Sequence, residues 1–83
     1  MDALGTGSPA EVRTRFGLRL RELRLQAGFK SARSFALALN LEETRYMRYE
    51  RGEVEPSLSN IRKMCRLLGV DANRLLGIAD DFR

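Results

Sequence analysis

The chain has 83 residues, of which 43% are hydrophobic, and it carries a formal net charge of +4 with a pI near 10.0. That size suits one small domain that buries only about 60% of the surface its unfolded form exposes, and the hydrophobic share is too high for wholesale disorder. No apolar run is long enough for a membrane span or a signal h-region, and there is no histidine, so a cytoplasmic protein with no membrane partner, no metal, no cofactor and no catalytic residue is expected.

Residues 1–7 make a polar, glycine-containing lead, expected to be disordered. Ser8-Pro9-Ala10-Glu11 then opens a first helix with a serine cap, a proline in the first turn and a glutamate three residues after the cap. Val12, Phe16, Leu20, Leu23 and Ala27 form its buried stripe, and Gly28 ends it. Leu18 and Leu25 lie off that stripe among arginines, either as isolated exposed leucines or as a partner surface. Ser31 caps a second helix, on which Phe35, Ala36 and Leu39 make an i, i+1, i+4 stripe; Ala36 is small enough for the next helix to cross close to it. Asn40 tolerates the left-handed conformation that a sharp helix exit often needs.

A third helix over about 42–51 places Tyr46 and Tyr49 on one side and Thr44, Met47, Arg48 and Arg51 on the other, with Glu43 and Arg45 on the flanks. One side suits a core and the other a groove, so 31–52 reads as a helix–turn–helix. After the loop 52–56, Ser57 caps a fourth helix running to Gly69 with the apolar pattern Leu58, Ile61, Met64, Cys65 and Leu68. Cys65, the one cysteine, has no internal disulfide partner and reads as a core residue, with a reactive thiol as the lesser alternative. Asp71 caps a short fifth helix carrying Leu75, Leu76 and Ile78, and 79–83 is a polar tail whose Phe82 is either idle or docks on this domain or on a second copy. The acid pairs Glu42-Glu43 and Asp80-Asp81 suit a helix start and a solvated tail rather than catalysis. The fold class is therefore all-α, a compact bundle of four to five helices over 8–78.

Charge is unevenly spread: residues 1–52 hold ten basic and six acidic groups, whereas 53–83 hold five of each. The surplus lies in the half that carries the helix–turn–helix, as in a polyanion binder, and nucleic acid is the polyanion it suits best. On charge alone, a merely soluble arginine-rich surface stands level with that reading. Lys30 and Arg33 flank the start of the second helix, where a helix N-terminus already favours anions, and make a phosphate clamp.

Over about residues 12–78 the chain resembles the phage-repressor and Cro-like helix-turn-helix family, also called the XRE family, of small bacterial and phage DNA-binding regulators. The resemblance rests on Leu20-Arg21-Glu22-Leu23-Arg24 with Gly28, on Phe35-Ala36, on Tyr46-Met47-Arg48-Tyr49-Glu50-Arg51-Gly52, on Pro56-Ser57, and on Leu68-Gly69-Val70 followed by Leu75-Leu76. It implies a lambda-repressor-like DNA-binding domain whose third helix lies in the major groove. Glu43, Thr44 and Arg48 match the places that usually read base edges, with Met47 beside them. Arg48 has the fork that suits guanine O6 and N7, and Glu43 can accept from cytosine N4 or serve the helix dipole. Arg45 and Arg51, alongside Lys30 and Arg33, suit phosphates. Arg24 and Glu50 match a family ion pair joining the first and third helices. Tyr46 and Tyr49 fall at apolar family positions, which favours core packing, with a phosphate contact from one hydroxyl as an added expectation.

The chain departs from the family pattern in several places. Ala32 stands where glutamine is frequent, the link from Gly28 to Phe35 is one residue longer, and Asn40 replaces a usual glycine. Glu53 and Glu55 make acidic a loop that often approaches DNA, which leaves backbone N–H groups near Gly52 and Leu58 for that role. The expected function is a sequence-specific regulator of transcription on double-stranded DNA, nucleoid-associated and working as a homodimer on an inverted repeat. The alternative is a protein-interaction module, an antitoxin or an RNA polymerase or regulator cofactor, using Leu18, Leu25 or Phe82. No sizeable ligand pocket is expected in so small a core.

Overall fold

The computed structural model describes residues 7–78, which form five helices and no strand. The first, α1, spans Pro9–Gln26 and begins with a reciprocal cap: the Glu11 N–H donates to Ser8 Oγ at 3.2 Å and the Ser8 N–H to Glu11 Oε1 at 3.1 Å. Bonding from the Ser8 N–H and hydroxyl holds the Glu11 carboxyl below the usual carboxylate range. Ser31 caps α2, Ala32–Leu39, by accepting from the Ser34 N–H at 3.0 Å. Asn40 ends it in the left-handed region at φ 61° and ψ 44°, and the Leu41 N–H closes back on the Ala36 carbonyl at 2.9 Å. The chain thus turns within three residues into α3, Glu43–Glu50. Ser57 and Asp71 cap α4, Leu58–Leu68, and α5, Ala72–Leu76.

The core draws on all five helices, with Leu20, Phe35, Leu39, Tyr46, Met64 and Leu75 fully enclosed. Aromatic rings run through it in sequence, Phe29 to Phe35 to Tyr46 to Tyr49, with centroids 4.9, 5.4 and 6.4 Å apart. Tilted and edge-on pairs of this kind add about 0.5–1.5 kcal/mol each to the burial of their surface. The small Ala36 lies buried on α2, which packs against both α3 and α4.

Three expected core positions are elsewhere. Val12 is 44% exposed, because it lies a turn before the bundle closes over α1 and borders an open groove. Ala27 is exposed as the C-cap of α1, beyond its last full turn. Leu58 is 84% exposed as the first residue of α4, outside the part of that helix that meets the core. Leu76 and Ile78 are only partly covered, while Leu75 carries the burial of α5. Cys65 packs half-buried against the core. Phe82 lies outside the described residues.

The inward face of α1 is in fact Phe16, Gly17, Leu20, Leu23 and Arg24. Two of these are not apolar side chains, and a stripe read from hydrophobicity alone passes over them. Gly17 sits where α1 crosses α3: a Cβ there would stand 2.2 Å from the Glu50 carbonyl oxygen and 2.7 Å from its carbon, both backbone atoms. Gly17→Ala therefore forces the helices apart although alanine is the better helix former. We expect a loss of about 2 kcal/mol in urea denaturation, equal to a fall in Tm of roughly 8–16 °C for a domain of this size. An unchanged midpoint would mean that the crossing has slack.

Candidate nucleic-acid interface

The short α3 has two unlike sides. Tyr46 and Tyr49 point inward, while Glu43, Thr44, Arg45 and Arg48 are exposed along the helix and Arg51 is exposed at its C-cap. Met47 is half-buried against the core, so only part of it belongs to the outer side, because a helix seated this deep covers its flanks as well as its inner stripe. Arg33 from α2 and Glu43 and Thr44 from α3 line one shallow concavity with Asn40, Leu41 and Glu42. Lys30 is exposed ahead of the Ser31 cap and does not line that concavity.

What orients α3 is polar and buried. Arg24 Nε donates to Glu50 Oε2 at 2.7 Å and its Nη2 to Oε1 at 3.4 Å, while its Nη1 donates to the Phe29 carbonyl at 2.8 Å. The Tyr46 hydroxyl donates to the same Glu50 oxygen. The two charged side chains are only 6% and 5% exposed. Burial works against the charge of Arg24, but the hydrogen bond and the charge of Glu50 outweigh it and hold the guanidinium pKa above its ordinary value. Burial, and then the adjoining Glu50 carboxylate, push the Tyr46 phenol well up. Tyr49 Oη accepts from the buried Asn60 Nδ2 at 3.2 Å. Both tyrosine hydroxyls are therefore held inside, and the expectation that one reaches a phosphate is corrected.

Two of the outward arginines share a partner. Arg51 Nε lies 2.9 Å from Glu53 Oε2, and Arg48 Nε lies 3.5 Å from Glu53 Oε1, with all three side chains about half exposed. The acidic loop was visible in the sequence, but this pairing was not. Its signal is local: Gly52 in the left-handed region lets the Glu53 N–H close on the Arg48 carbonyl at 2.9 Å, which folds the carboxylate back toward α3.

Elsewhere the chemistry is sparse. Among the described residues no group of His, Cys, Asp or Glu is arranged to hold a metal. Burial, and then the charge of Asp71, push the Cys65 thiol up and make it a poor nucleophile. An apolar groove of about 350 Å³ opens between α1, the loop after α3, α4 and α5, lined by Phe16, Val54, Ile61 and Leu76 together with Arg13, Arg15, Arg19 and Glu55. Leu18 and Leu25 are 63% and 41% exposed and do not line it.

This arrangement of a capped α2, a three-residue turn and an α3 with a cationic outer side matches the family model described as a helix-turn-helix domain across residues 15–76. The chain belongs to the helix-turn-helix domain family. Among curated proteins this helix-turn-helix chain is 34% identical to control protein C.MunI of a Mycoplasma species over 65 residues, which cover 78% of this chain and 88% of that protein. It is 35% identical to control protein C.BamHI of Bacillus amyloliquefaciens over 65 residues, covering 78% and 80%. Among solved structures it is similar to the restriction-modification controller protein C.AhdI from Aeromonas hydrophila, with a TM-score of 0.74, 32% identity, and coverage of 83% of this chain and 99% of that one. The resemblance to Cro-like regulators holds, and with it the reading as a sequence-specific DNA-binding regulator of transcription rather than an enzyme. No helix among the described residues is long and apolar enough to cross a membrane.

The buried pair gives this helix-turn-helix domain a sharp mutational signature. Glu50→Ala strands the Arg24 charge in a dry site and should cost about 3–5 kcal/mol, most of the stability of a domain this small. The apolar double replacement Arg24→Met with Glu50→Leu should cost far less than the two single changes together, as read from chemical denaturation. Additive losses would show that the two residues act independently.

Proposed function

We propose that the chain binds double-stranded DNA with α3 in the major groove, as a homodimer on an inverted repeat whose half-sites lie about one helical turn, roughly 34 Å, apart. The observation that carries this reading is the division of α3, with Tyr46, Tyr49 and Glu50 fixing the inner side and Thr44, Arg45 and Arg48 presented outward. Arg48 reads a base, with guanine as the partner its fork suits. Thr44 offers a hydroxyl and a methyl, Glu43 accepts from a cytosine amine, and the exposed part of Met47 adds an apolar contact. Lys30, Arg33 and Arg45 take phosphates, with Arg51 placed beside them but paired with Glu53, and Arg33 is supported in this role by sharing a concavity with Thr44. The kinship with control and controller proteins favours a regulatory target within a restriction-modification system. A cytoplasmic, nucleoid-associated location follows from that role.

A second reading, a protein-interaction module, is favoured by the apolar groove beside α1 and by the exposed Leu18 and Leu25. The two readings separate when the purified protein selects from a random duplex pool and the winning sequence is titrated across salt. An enriched inverted repeat supports the regulator. No binding at all promotes the interaction module.

On the winning site, Arg48→Ala should lose about 1–3 kcal/mol of discrimination at one base position. Arg33→Ala should weaken selected and random duplexes alike and lower the slope of log affinity against log salt by about one. Equal effects of both variants on selected and random DNA would refute the division of roles.

A further inference from the structure

The position of Glu53 is set by backbone rather than by side-chain choice. Its N–H is bonded to the Arg48 carbonyl, and the preceding Gly52 is wedged against α1, where a Cβ would lie 2.7 Å from Thr14 Cα. Arg13 Nε also donates to the Gly52 carbonyl at 3.4 Å. A carboxylate is thus anchored at the C-terminal end of the outward side of α3, against the two arginines nearest it.

We propose that Glu53 is a specificity-determining residue of the DNA-binding face, a built-in competitor that holds Arg51 away from phosphates, and Arg48 as well until it finds its base. The inference rests on the DNA-binding reading above. The two contacts differ in the way this role requires. The Arg51 contact is the close one at 2.9 Å, and the Arg48 contact at 3.5 Å is loose. On a matching site Arg48 leaves the loose contact for a bidentate bond to a base, and Glu53 keeps Arg51. On random DNA no base rewards Arg48, so both arginines can contribute only as phosphate contacts, and there the fixed carboxylate opposes them directly. The charge therefore weakens binding to random sequences more than binding to the matching one. This is specificity by a repulsive element, set among attractive ones. An exposed pair adds little to stability, so the fold does not depend on it.

The test compares the full chain with Glu53→Gln on the selected duplex and on a random duplex of equal length, across salt concentrations. Thermal unfolding should be unchanged. The salt slope should steepen by about two on the random duplex, one for each arginine released, and by about one on the selected site, for Arg51 alone, so that random-duplex affinity rises about fivefold more than selected-site affinity and the ratio between them falls. Arg51→Ala supplies a second readout: it should leave the random-duplex slope nearly unchanged in the natural chain and remove about one unit in the Glu53→Gln background. Equal tightening on both duplexes would reduce Glu53 to general repulsion and overturn the proposal. So would no change on either, or a loss confined to the selected site, which would make Glu53 a support for Arg48. If the unaltered chain enriches no sequence from the pool, the DNA-binding reading itself falls and this proposal with it; enrichment with an inert Glu53→Gln removes the proposal alone.

Discussion

A guanidinium and a carboxylate withdrawn from water are costly to keep charged, and Arg24 with Glu50 is tolerated here because their hydrogen-bonding groups converge. The fork of Arg24 reaches two oxygens of Glu50 and the carbonyl of Phe29, and Tyr46 adds a donor to the same carboxylate. Rotating α3 by even a fraction of a turn would leave several of these groups without partners in a dry site. Hydrophobic contact is non-directional and tolerates such rotation; this network does not. Gly17 complements it by setting the distance, since the absent side chain lets the backbone of α3 come down onto α1 at Glu50 itself. One contact fixes how close the helix lies and the other fixes which side it shows.

The outward side depends on that orientation. Because the tyrosines and Glu50 absorb the inner side, the arginines at 45, 48 and 51 remain exposed, and a helix of eight residues is left with a cationic strip that has no packing duty. Charge there is moderated rather than maximal, with Glu53 set against two of the three arginines. For a protein that must tell one site from many, unmoderated affinity for phosphate is a liability, because it rewards every sequence equally.

Much of this was legible in the residues themselves. The caps at Ser8, Ser31, Ser57 and Asp71 are local chemistry, and so is the left-handed Asn40, so helix starts and the sharp turn could be read directly. The inward pair Tyr46 and Tyr49 followed from a three-residue spacing. Where the reading failed, the cause was tertiary. Val12 and Leu58 keep the helical period but lie where the bundle does not cover them, and periodicity carries no information about where a neighbour ends. Gly17 is buried for what a neighbouring helix needs, which hydrophobicity does not register; Arg24, equally invisible to an apolar stripe, was expected to pair with Glu50 through the family resemblance and does so. The Tyr49 hydroxyl meets Asn60 on another helix, eleven residues on. The contact of Glu53 with Arg48 and Arg51 is local in sequence yet was missed, because it depends on Gly52 reversing the chain rather than on helical spacing.

The length of α3 constrains how such a domain can be selective. Eight residues rise about 12 Å, which matches only three or four base pairs along the duplex axis. Contacts over so few pairs, at about 1–3 kcal/mol each, separate one short word from its neighbours but not a regulatory site from a genome of competing sequences. A two-fold pair of such helices on one face of the DNA multiplies the discrimination of each half-site, and a fixed α3 is what lets two copies present their helices at one constant spacing. The buried Arg24 and Glu50 contact is therefore tied to specificity twice. It selects the residues that meet the bases, and it makes the separation of two reading helices a property of the fold rather than of each encounter with DNA.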